Sequence, residues 1–337
     1  MMQRTGTKGI NQSAGSIFQA AEAGDAATFG VQVRKGADCC TPDNDGWTPL
    51  HLAARNGHPR IVKAALDGVL PDLRGPTGLT ALHLAAWEGH QDVAQVLLKH
   101  EALVNVVDAN GVTPLLLASQ RGHVSVVRLL LDAGADANLA EQRWGQSPLQ
   151  LASRHGHIEV VRMLLATANV NALDKDWGDT ALHEAAIRDH AEVVVKLLDH
   201  GANADIASKR PGRTALQEAA VRNNFRTVEA MLREGSCVDC EDSKLHWTAL
   251  QQAAVRGHLE AAKALLKSGA TTDFMDRHWG EVALVDAVRR RSVRTVECLL
   301  LAKADRDVPG DLREAATRLI VPHDDSTAAA TNTQVAV

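Results

Sequence analysis

The residues of this chain that are best suited to chemistry are its fifteen histidines and five cysteines. Imidazole nitrogen and thiolate sulfur are good zinc ligands, and Cys237 and Cys240 have the Cys-x-x-Cys spacing of zinc sites and of redox pairs. A structural zinc site needs four such ligands. The other close cysteine pair is Cys39 and Cys40. Whether these groups can form a site depends on where the fold places them.

Most of the histidines are spaced periodically along the chain. One group ends a Thr-x-Leu-His phrase and consists of His51, His83 and His183. In the other group each histidine follows a glycine or an aspartate, and its members are His58, His90, His123, His157, His190 and His258. Periodic residues are typical of a repeated structural unit, not of one catalytic centre. The chain also lacks a His-Glu-x-x-His motif, a phosphate-binding glycine loop and a nucleophile elbow. We therefore predict no enzyme, with no catalytic residue, no metal and no cofactor.

The first group of histidines belongs to a phrase of four residues that occurs eight times at intervals of 32 to 34 residues. The eight copies are Thr48–His51, Thr80–His83, Thr113–Leu116, Ser147–Gln150, Thr180–His183, Thr214–Gln217, Thr248–Gln251 and Val282–Val285. A fixed period of this length indicates a repeat architecture.

Each phrase opens a unit that is predicted to fold as two helices. Serine or threonine before an apolar run caps a helix N-terminus, and proline is favoured at the next position. A pair of small residues such as Ala85 and Ala86 lets a neighbouring backbone approach closely, and Gly89 ends the first helix. A second apolar segment, such as 126–131, needs cover from neighbours on both sides. The units must therefore stack.

This pattern resembles the ankyrin repeat, whose Thr-Pro-Leu-His-x-Ala signature has a period of 33 residues. The resemblance implies an all-α solenoid of stacked helix-turn-helix units with β-turn fingers, in which the phrase histidines join neighbouring units by hydrogen bonds. We place about nine repeats at 11–44, 45–76, 77–109, 110–143, 144–176, 177–210, 211–244, 245–278 and 279–307, the first and last being degenerate. We expect a flexible N-terminus at 1–10, a capping helix at 308–320 and a disordered tail at 321–337.

The predicted stack separates the two cysteine pairs by six units. At about 8–10 Å per helix layer they would lie about 50–60 Å apart, so they cannot share a zinc ion. The cysteines are expected to be reduced thiols of an intracellular protein. Whether Cys237 and Cys240 have a redox role stays open.

Composition excludes several classes of partner. The 36 basic and 41 acidic residues give a net charge of −5, which predicts no binding to nucleic acid or to an anionic membrane. The sequence contains no run of eighteen apolar residues, so we predict no membrane span, and its first residues predict no secretory signal. An open repeat surface predicts no small-molecule substrate. We expect a cytoplasmic protein, and a nuclear location stays open.

Six tryptophans are informative because a stack of small helices needs no indole rings at its turns. Five of them lie at the predicted finger tips, and the sixth lies in a first helix. The five are Trp47, Trp144, Trp177, Trp247 and Trp279, and the sixth is Trp87. Two interpretations stay open: each ring packs flat on the next turn, or it contacts a partner, since tryptophan is enriched among interface hot spots.

A second periodic set follows each pair of small residues by two positions and is predicted to form one ladder along the groove. Its members are Arg121, His155, Arg188, Arg222, Arg256 and Arg290. One hypothesis is a basic track for an acidic or phosphorylated segment. The alternative is neutralisation by acids four residues earlier in the same helices. Those predicted pairs are Glu184 with Arg188, Glu218 with Arg222 and Asp286 with Arg290.

The groove is also predicted to expose a row of leucines in its N-terminal half. Leu84, Leu117 and Leu151, with Leu52 before them, hold the position that acids take further along the chain. Exposed apolar rows mark interaction surfaces. The sequence therefore predicts a scaffold or adaptor that binds a protein partner across the concave groove and the turn fingers. The alternative is a regulatory or substrate-recruiting subunit of a larger assembly, such as a protein-modifying complex.

Overall fold

The computed structural model describes residues 12–271, 284–285, 287–302 and 310–320. Regular structure in these residues is helical, without a strand. The helices with defined ends are α1 (Gln12–Ala23), α2 (Ala26–Arg34), α3 (Pro49–Arg55), α4 (Pro59–Leu66), α5 (Ala81–Glu88), α6 (Gln91–Lys99), α7 (Pro114–Arg121), α8 (Val124–Asp132), α9 (Pro148–Arg154), α10 (Ile158–Leu164), α11 (Ala181–Ile187), α12 (Ala191–Asp199), α13 (Ala215–Val221), α14 (Phe225–Arg233), α15 (Ala249–Val255), α16 (Leu259–Lys267), α17 (Val293–Leu301) and α18 (Gly310–Ile320).

The chain divides into two compact units, Met1–Pro211 and Gly212–Val337, here called the first and the second unit. In the first unit the odd-numbered helices α1 to α11 pack side by side as an inner row, and the even-numbered helices α2 to α12 form an outer row. In the second unit α13 packs on α15 and α14 on α16, while α17 packs on α15, α16 and α18. The prediction of an all-α stack of helix pairs is confirmed.

The inner helices begin where the recurring phrase predicts. Ser147 Oγ accepts a hydrogen bond from the Gln150 N–H at 3.3 Å, and Gln150 Oε1 accepts one from the Ser147 N–H at 2.7 Å. Thr180 and His183 cap the next inner helix in the same reciprocal way. Pro148 takes the first helical position of α9, where its missing N–H has no intrahelical partner to lose. Short-range capping therefore defines the starts of these inner helices.

The phrase histidines join one repeat to another, as the resemblance implies, and so do the histidines that precede the outer helices. His83 Nε2 lies 2.9 Å from Val112 O, and His123 Nε2 lies 2.9 Å from Trp87 O. Because a carbonyl oxygen only accepts, Nε2 carries the proton in these contacts. The same outer-helix contact joins His58 to Glu22, His90 to Arg55, His157 to Gln120 and His190 to Arg154 in the first unit, and His258 to Val221 in the second.

The core consists of alanine, leucine and valine, as the scarcity of aromatic residues predicts. Ala85 and Ala86 of α5 and Val93 and Leu97 of α6 are completely buried. Small side chains on the inner row allow close helix packing. Among the described residues, none of the helices has the length and apolar character needed to cross a bilayer. The predicted ends at 1–10 and 321–337 lie outside the described residues, and so does the start of the ninth repeat.

The turn between inner and outer helices needs a left-handed backbone. Gly122, which ends α7, has φ 74°. At the same position in other repeats, Asp189 and Asn223 have φ 61° and Arg291 has φ 52°. A left-handed conformation is unfavourable for residues that carry a Cβ atom, and asparagine and aspartate tolerate it better than arginine does. Arg291 is therefore the strained member of this set.

Replacing Arg291 by glycine is expected to raise the free energy of unfolding of the second unit by about 0.5–1 kcal/mol. Glycine removes a left-handed penalty of about 1–2 kcal/mol, and its greater freedom in the unfolded chain offsets part of this gain. Urea unfolding of the full chain followed by circular dichroism measures the change. Arg294→Gly removes the same charge inside α17 and should instead destabilise by about 1 kcal/mol. Equal effects of the two changes would contradict the argument.

Candidate interaction surface

The loops that precede the inner helices form closed fingers. We call residues 43–47, 75–79, 108–112, 141–146, 174–179 and 242–247 the fingers. In the third of these, the Asp108 N–H donates to Val112 O at 3.0 Å, and Asp108 Oδ1 accepts from the N–H groups of Asn110 and Val112 at 2.8 Å each. Glu141, Asp174 and Asp242 bind backbone N–H groups of their own fingers in the same way. An acid at the base therefore fixes the shape of these fingers.

Neighbouring fingers of the first unit are joined by backbone hydrogen bonds. The Lys175 N–H donates to Trp144 O at 2.8 Å, and the Lys209 N–H donates to Trp177 O at 2.6 Å. Earlier fingers are joined from Ala109 N to Thr77 O and from Gln142 N to Asn110 O. In the second unit, Ser243 N donates to Gly212 O. The side chains at the tips are thus held at a regular spacing.

The finger tryptophans differ in how far they are exposed. Trp144 and Trp177 are 44% and 55% exposed, which is the arrangement expected of a contact surface. Trp47 is half-buried, and its ring lies only 3.1 Å from the place where Gly75 would carry a Cβ atom, so it packs on the next finger. Trp247 is half-buried as well, and Trp279 lies outside the described residues.

Positive charges surround the two exposed indoles. The Arg143 guanidinium lies over the ring of Trp144, 4.3 Å from its centre. Lys175 is exposed on the finger of Trp177, and Lys209 and Arg210 are exposed in the loop whose backbone contacts Trp177 O. On the two fingers that carry these indoles, Glu141 and Asp174 are buried and accept from backbone N–H groups. Among residues 141–146 and 174–179, Asp176 is the exposed acid. The accessible charge around the exposed indoles is therefore mainly positive.

The ladder residues of the first unit, Arg121, His155 and Arg188, lie at or just after the C-terminal ends of inner helices. The Arg121 guanidinium stacks on the ring of Trp87 at 3.7 Å, which keeps its N–H edge free for an anion. Arg188 is exposed and has no ion pair among the described contacts. Burial lowers the pKa of His155, and the neighbouring His157, Arg154 and Arg188 lower it further. This part of the ladder is electropositive.

The predicted pair of Glu184 with Arg188 is wrong. Glu184 is buried and faces the preceding repeat, where its carboxylate meets Gln146 Nε2 at 3.0 Å and Arg154 Nε at 3.9 Å. Glu184 also lies near the buried carboxylates of Asp174 and Asp179, with acceptor atoms of the three residues within 4.8 Å of one another. Sequence reasoning did not single out this cluster, and Gln146 and Arg154 give it a structural role.

In the second unit, Arg222 and Arg256 of the ladder bond to side chains of the inner helices that they follow. The predicted pair of Glu218 with Arg222 is confirmed, and Arg213 approaches the same carboxylate at 3.5 Å. Arg256 donates to Gln252 O at 3.0 Å and to Gln252 Oε1 at 2.8 Å. The predicted acid partner of Arg290 was Asp286, which lies outside the described residues. The free cations of the ladder are thus found in the first unit, within the part of the chain that the structure describes.

The prediction of an exposed leucine row is wrong at two of its members. Leu84 and Leu151 are each only 8% exposed, whereas Leu117 and Leu52 are half-buried. The small residues beside them bring the neighbouring inner helices close enough to cover these side chains. The face of the first unit that carries the fingers and the ends of the inner helices therefore presents tryptophan, arginine and histidine more than leucine.

The prediction of five reduced cysteines is wrong as well. Cys237 and Cys240 form a disulfide, with their Cα atoms 5.6 Å apart. The other three are free thiols: Cys39 and Cys298 are buried, and Cys40 is exposed. Burial raises the pKa of Cys298 to about 12, so this thiol is unreactive at neutral pH. Cys-x-x-Cys spacing permitted the disulfide, but it does not determine the oxidation state.

Comparison with known protein families agrees with this architecture. The family model described as ankyrin repeats (3 copies) matches residues 17–108, 101–174, 167–242 and 223–309. No curated protein matches the chain. Ankyrin repeats are generally protein–protein interaction modules, and such proteins are typically not enzymes. Since the matches extend over most of the sequence and the structure shows the capped helix pairs and closed fingers that the signature implies, the chain belongs to the ankyrin-repeat family.

Proposed function

We propose that this chain is a non-enzymatic scaffold or adaptor that binds an extended protein segment across the fingers and inner helices of its first unit. The observation that carries the proposal is the pair of exposed indoles on consecutive fingers, Trp144 and Trp177. Their fingers are joined by the bond from Lys175 N to Trp144 O, so the backbone positions of the two indoles are fixed before a partner binds. Burying preorganised rings of this kind is a major source of binding free energy.

The spacing of the fingers favours an extended segment. Consecutive repeats are separated by one helix layer, or about 8–10 Å. An extended chain advances about 3.3 Å per residue, so side chains three residues apart are about 10 Å apart. A segment with apolar side chains at that interval can therefore place one on Trp144 and the next on Trp177.

The charges indicate which residues flank the apolar anchors. Arg143, Lys175, Lys209 and Arg210 surround the indoles, and the cationic part of the ladder lies one inner-helix length away, about 11–12 Å for a helix of seven or eight residues. Carboxylates on the segment would pair with these groups, and their attraction is screened by salt. The partner chemistry is thus an acidic segment that carries spaced apolar side chains.

The open nature of this surface supports a binding role over an enzymatic one. The indoles and cations lie on exposed fingers and at exposed helix ends. Catalysis generally needs a concave site that excludes water. A surface of this shape is better suited to contacts spread along a partner than to enclosing a small reactant.

Selection from a displayed library of random peptides on the full chain tests the proposal without a known partner. We expect enrichment of acidic sequences with apolar residues at three-residue intervals. Trp144→Ala together with Trp177→Ala should lower the affinity of the chain for the selected peptides about thirtyfold or more, because tryptophan hot spots contribute at least about 2 kcal/mol to binding. Isothermal titration calorimetry of individual peptides measures this change, and raising the salt concentration should weaken binding further.

A matched control uses exposed side chains that lie in other loops of the first unit. Leu70 and Leu103 are 77% and 62% exposed. Changing both to alanine removes apolar surface without touching a finger tryptophan, and peptide affinity should be retained. Equal losses of affinity in the two double variants would contradict the proposed surface. Peptides that bind the tryptophan variant as well as the wild type would contradict it too.

A further inference from the structure

The turns that follow the outer helices of the first unit are built on two polar side chains. The first side chain accepts a hydrogen bond from the backbone N–H two residues later, which closes an Asx-turn. Asp136 Oδ1 accepts from the Asn138 N–H at 2.8 Å, and Asn203 Oδ1 accepts from the Asp205 N–H at 2.9 Å. The same bond joins Asn169 to Asn171 at 3.1 Å. A side-chain oxygen at the first position therefore fixes the shape of these turns.

The second polar side chain of each turn joins it to the following repeat. Asn105 Oδ1 accepts from the Asp136 N–H at 2.9 Å, and Asn138 Oδ1 accepts from the Asn169 N–H at 2.7 Å. In the second unit, Asp239 Oδ1 accepts from the Thr271 N–H at 2.9 Å in the same manner. The first position shapes the turn, and the second position couples the repeats.

The turn that carries Asp239 lacks the first of these two devices. Its first position is Cys237, whose sulfur is a poor substitute for a carboxylate or amide oxygen as an acceptor. The structure has a disulfide from Cys237 to Cys240 instead, and Asp239 lies within the closed loop. The Cys240 carbonyl accepts from Gln217 Nε2 at 2.7 Å, so the loop is also anchored to α13. A covalent bond thus takes the place of the Asx-turn.

This disulfide is accessible to small reactants. Cys237 is exposed and Cys240 is half-buried. A thiolate attacks a disulfide sulfur directly, so access to at least one sulfur is the main geometric requirement for exchange. The Asp239 carboxylate contacts the repeat that follows, and the Cys240 carbonyl contacts the inner helix beside the loop, so a change in the loop reaches both.

We propose that Cys237 and Cys240 are a reversible thiol–disulfide site that exchanges with low-molecular-weight thiols and disulfides, and that its oxidised form holds Asp239 against the Thr271 N–H. The exposed Cys237 thiolate attacks a glutathione disulfide, forms a mixed disulfide and releases one glutathione thiolate. The Cys240 thiolate then attacks the Cys237 sulfur and displaces the second glutathione. Two cysteine thiols are oxidised, one glutathione disulfide is reduced to two thiols, and the cysteine protons pass to solvent or to the released thiolates.

The full chain is equilibrated with oxidised or reduced glutathione, quenched by alkylation and mapped by mass spectrometry. The 237–240 peptide should change between a disulfide and two alkylated thiols. Hydrogen exchange in the two states should show the Thr271 amide exchanging about tenfold more slowly when the disulfide is present. A pair that stays reduced in glutathione disulfide, or a disulfide that leaves Thr271 exchange unchanged, would overturn the proposal.

Two variants separate the disulfide from the hydrogen bond that it positions. Cys237→Asn restores an Asx-turn residue, so Thr271 should be protected in both glutathione buffers. Asp239→Ala removes the acceptor, so the disulfide should still form while Thr271 loses its protection in both buffers. Cys40→Ser removes an exposed thiol of the first unit and should leave all these results unchanged. Redox-dependent protection of Thr271 in Cys237→Asn would contradict the mechanism.

Discussion

Gly122→Ala is expected to lower the free energy of unfolding by about 2–4 kcal/mol, more than the same change at Gly134. Both glycines are left-handed, with φ 74° and 88°. A Cβ atom on Gly134 would meet nothing within 4 Å, whereas one on Gly122 would lie 2.6 Å from His157 Nδ1. Both changes place an alanine in a left-handed conformation and carry that penalty. Only the alanine at position 122 also meets a side chain of the next repeat.

The contact at Gly122 is costly because the histidine ring cannot simply turn away. His157 Nε2 donates to Gln120 O at 3.1 Å, and this bond joins two repeats. Moving the ring would leave a partly buried carbonyl and imidazole without their partner, a loss of about 1–2 kcal/mol. The left-handed backbone adds about 1–2 kcal/mol in either variant. We therefore expect about 1–2 kcal/mol for Gly134→Ala, measured by urea unfolding of the full chain.

A double-mutant cycle isolates the contact from the backbone strain. His157→Ala removes the ring, so adding Gly122→Ala to it should cost no more than Gly134→Ala costs in the wild type. The coupling energy between the two positions should then be about 1–2 kcal/mol, within the range seen for residues in direct contact. Additive effects would mean that the glycine is needed only for its backbone conformation.

Short-range features of this fold were predictable because their causes are local. Thr180 before Ala-Leu-His predicts a helix start, and α11 begins at Ala181 with both capping bonds formed. The contacts of the phrase histidines were predictable as well. The rings of His51 and His83 each lie beside the threonine cap of their own helix and reach a carbonyl of the next loop, so all three features recur together. The family match supports the repeat architecture that these signals indicate.

Contacts between repeats were harder to predict. Glu184 was assigned to Arg188 by helix spacing, but its partners Gln146 and Arg154 come from the repeat before it. The burial of Leu84 depends on the distance between two inner helices. The spacing of residues along one helix does not predict that distance. Exposure of the finger tryptophans differs between repeats for the same reason, because each ring meets a different neighbouring finger.

Departures from the repeat pattern are the most informative positions in this chain. A cysteine stands where neighbouring turns use an acidic or amide side chain, and a disulfide replaces the hydrogen bond. Glutamine stands at Gln150, Gln217 and Gln251 where other repeats have histidine. The first substitution exchanges a polar contact for a redox-sensitive one. The second removes a group that titrates near neutral pH, and its consequence can be measured.

Acidification from pH 7.5 to 5.5 is expected to lower the free energy of unfolding by about 2 kcal/mol through His51 and His83. Both side chains are completely buried. Burial lowers the pKa of each ring, although bonds to Leu73 and Val112 carbonyls act in the opposite direction. Nearby Asp43 raises the pKa of His51, and near His83 the effects of Asp108 and Arg74 oppose each other.

The sign follows from which state binds protons first. Unfolded histidine titrates near pH 6.5, so below that pH the unfolded chain takes up protons that the folded rings reject. The stability contributed by the neutral rings is complete above pH 6.5 and is lost as the pH falls toward the lowered folded-state pKa. Each ring contributes a slope of at most about 1.4 kcal/mol per pH unit in that window.

His51→Gln together with His83→Gln provides a control that the chain itself suggests. Gln217 holds the equivalent position in the second unit, where Oε1 accepts from Thr214 N at 2.8 Å and Nε2 donates to Trp247 O at 2.9 Å. Glutamine thus makes the bonds of histidine without titrating. The double variant should keep its stability at pH 7.5 within about 1 kcal/mol and lose about 2 kcal/mol less than the wild type at pH 5.5. Carboxylates and the remaining histidines are common to both chains, so their effects cancel in this difference. Identical pH dependence of urea unfolding in the two chains would show that the buried rings are protonated without cost.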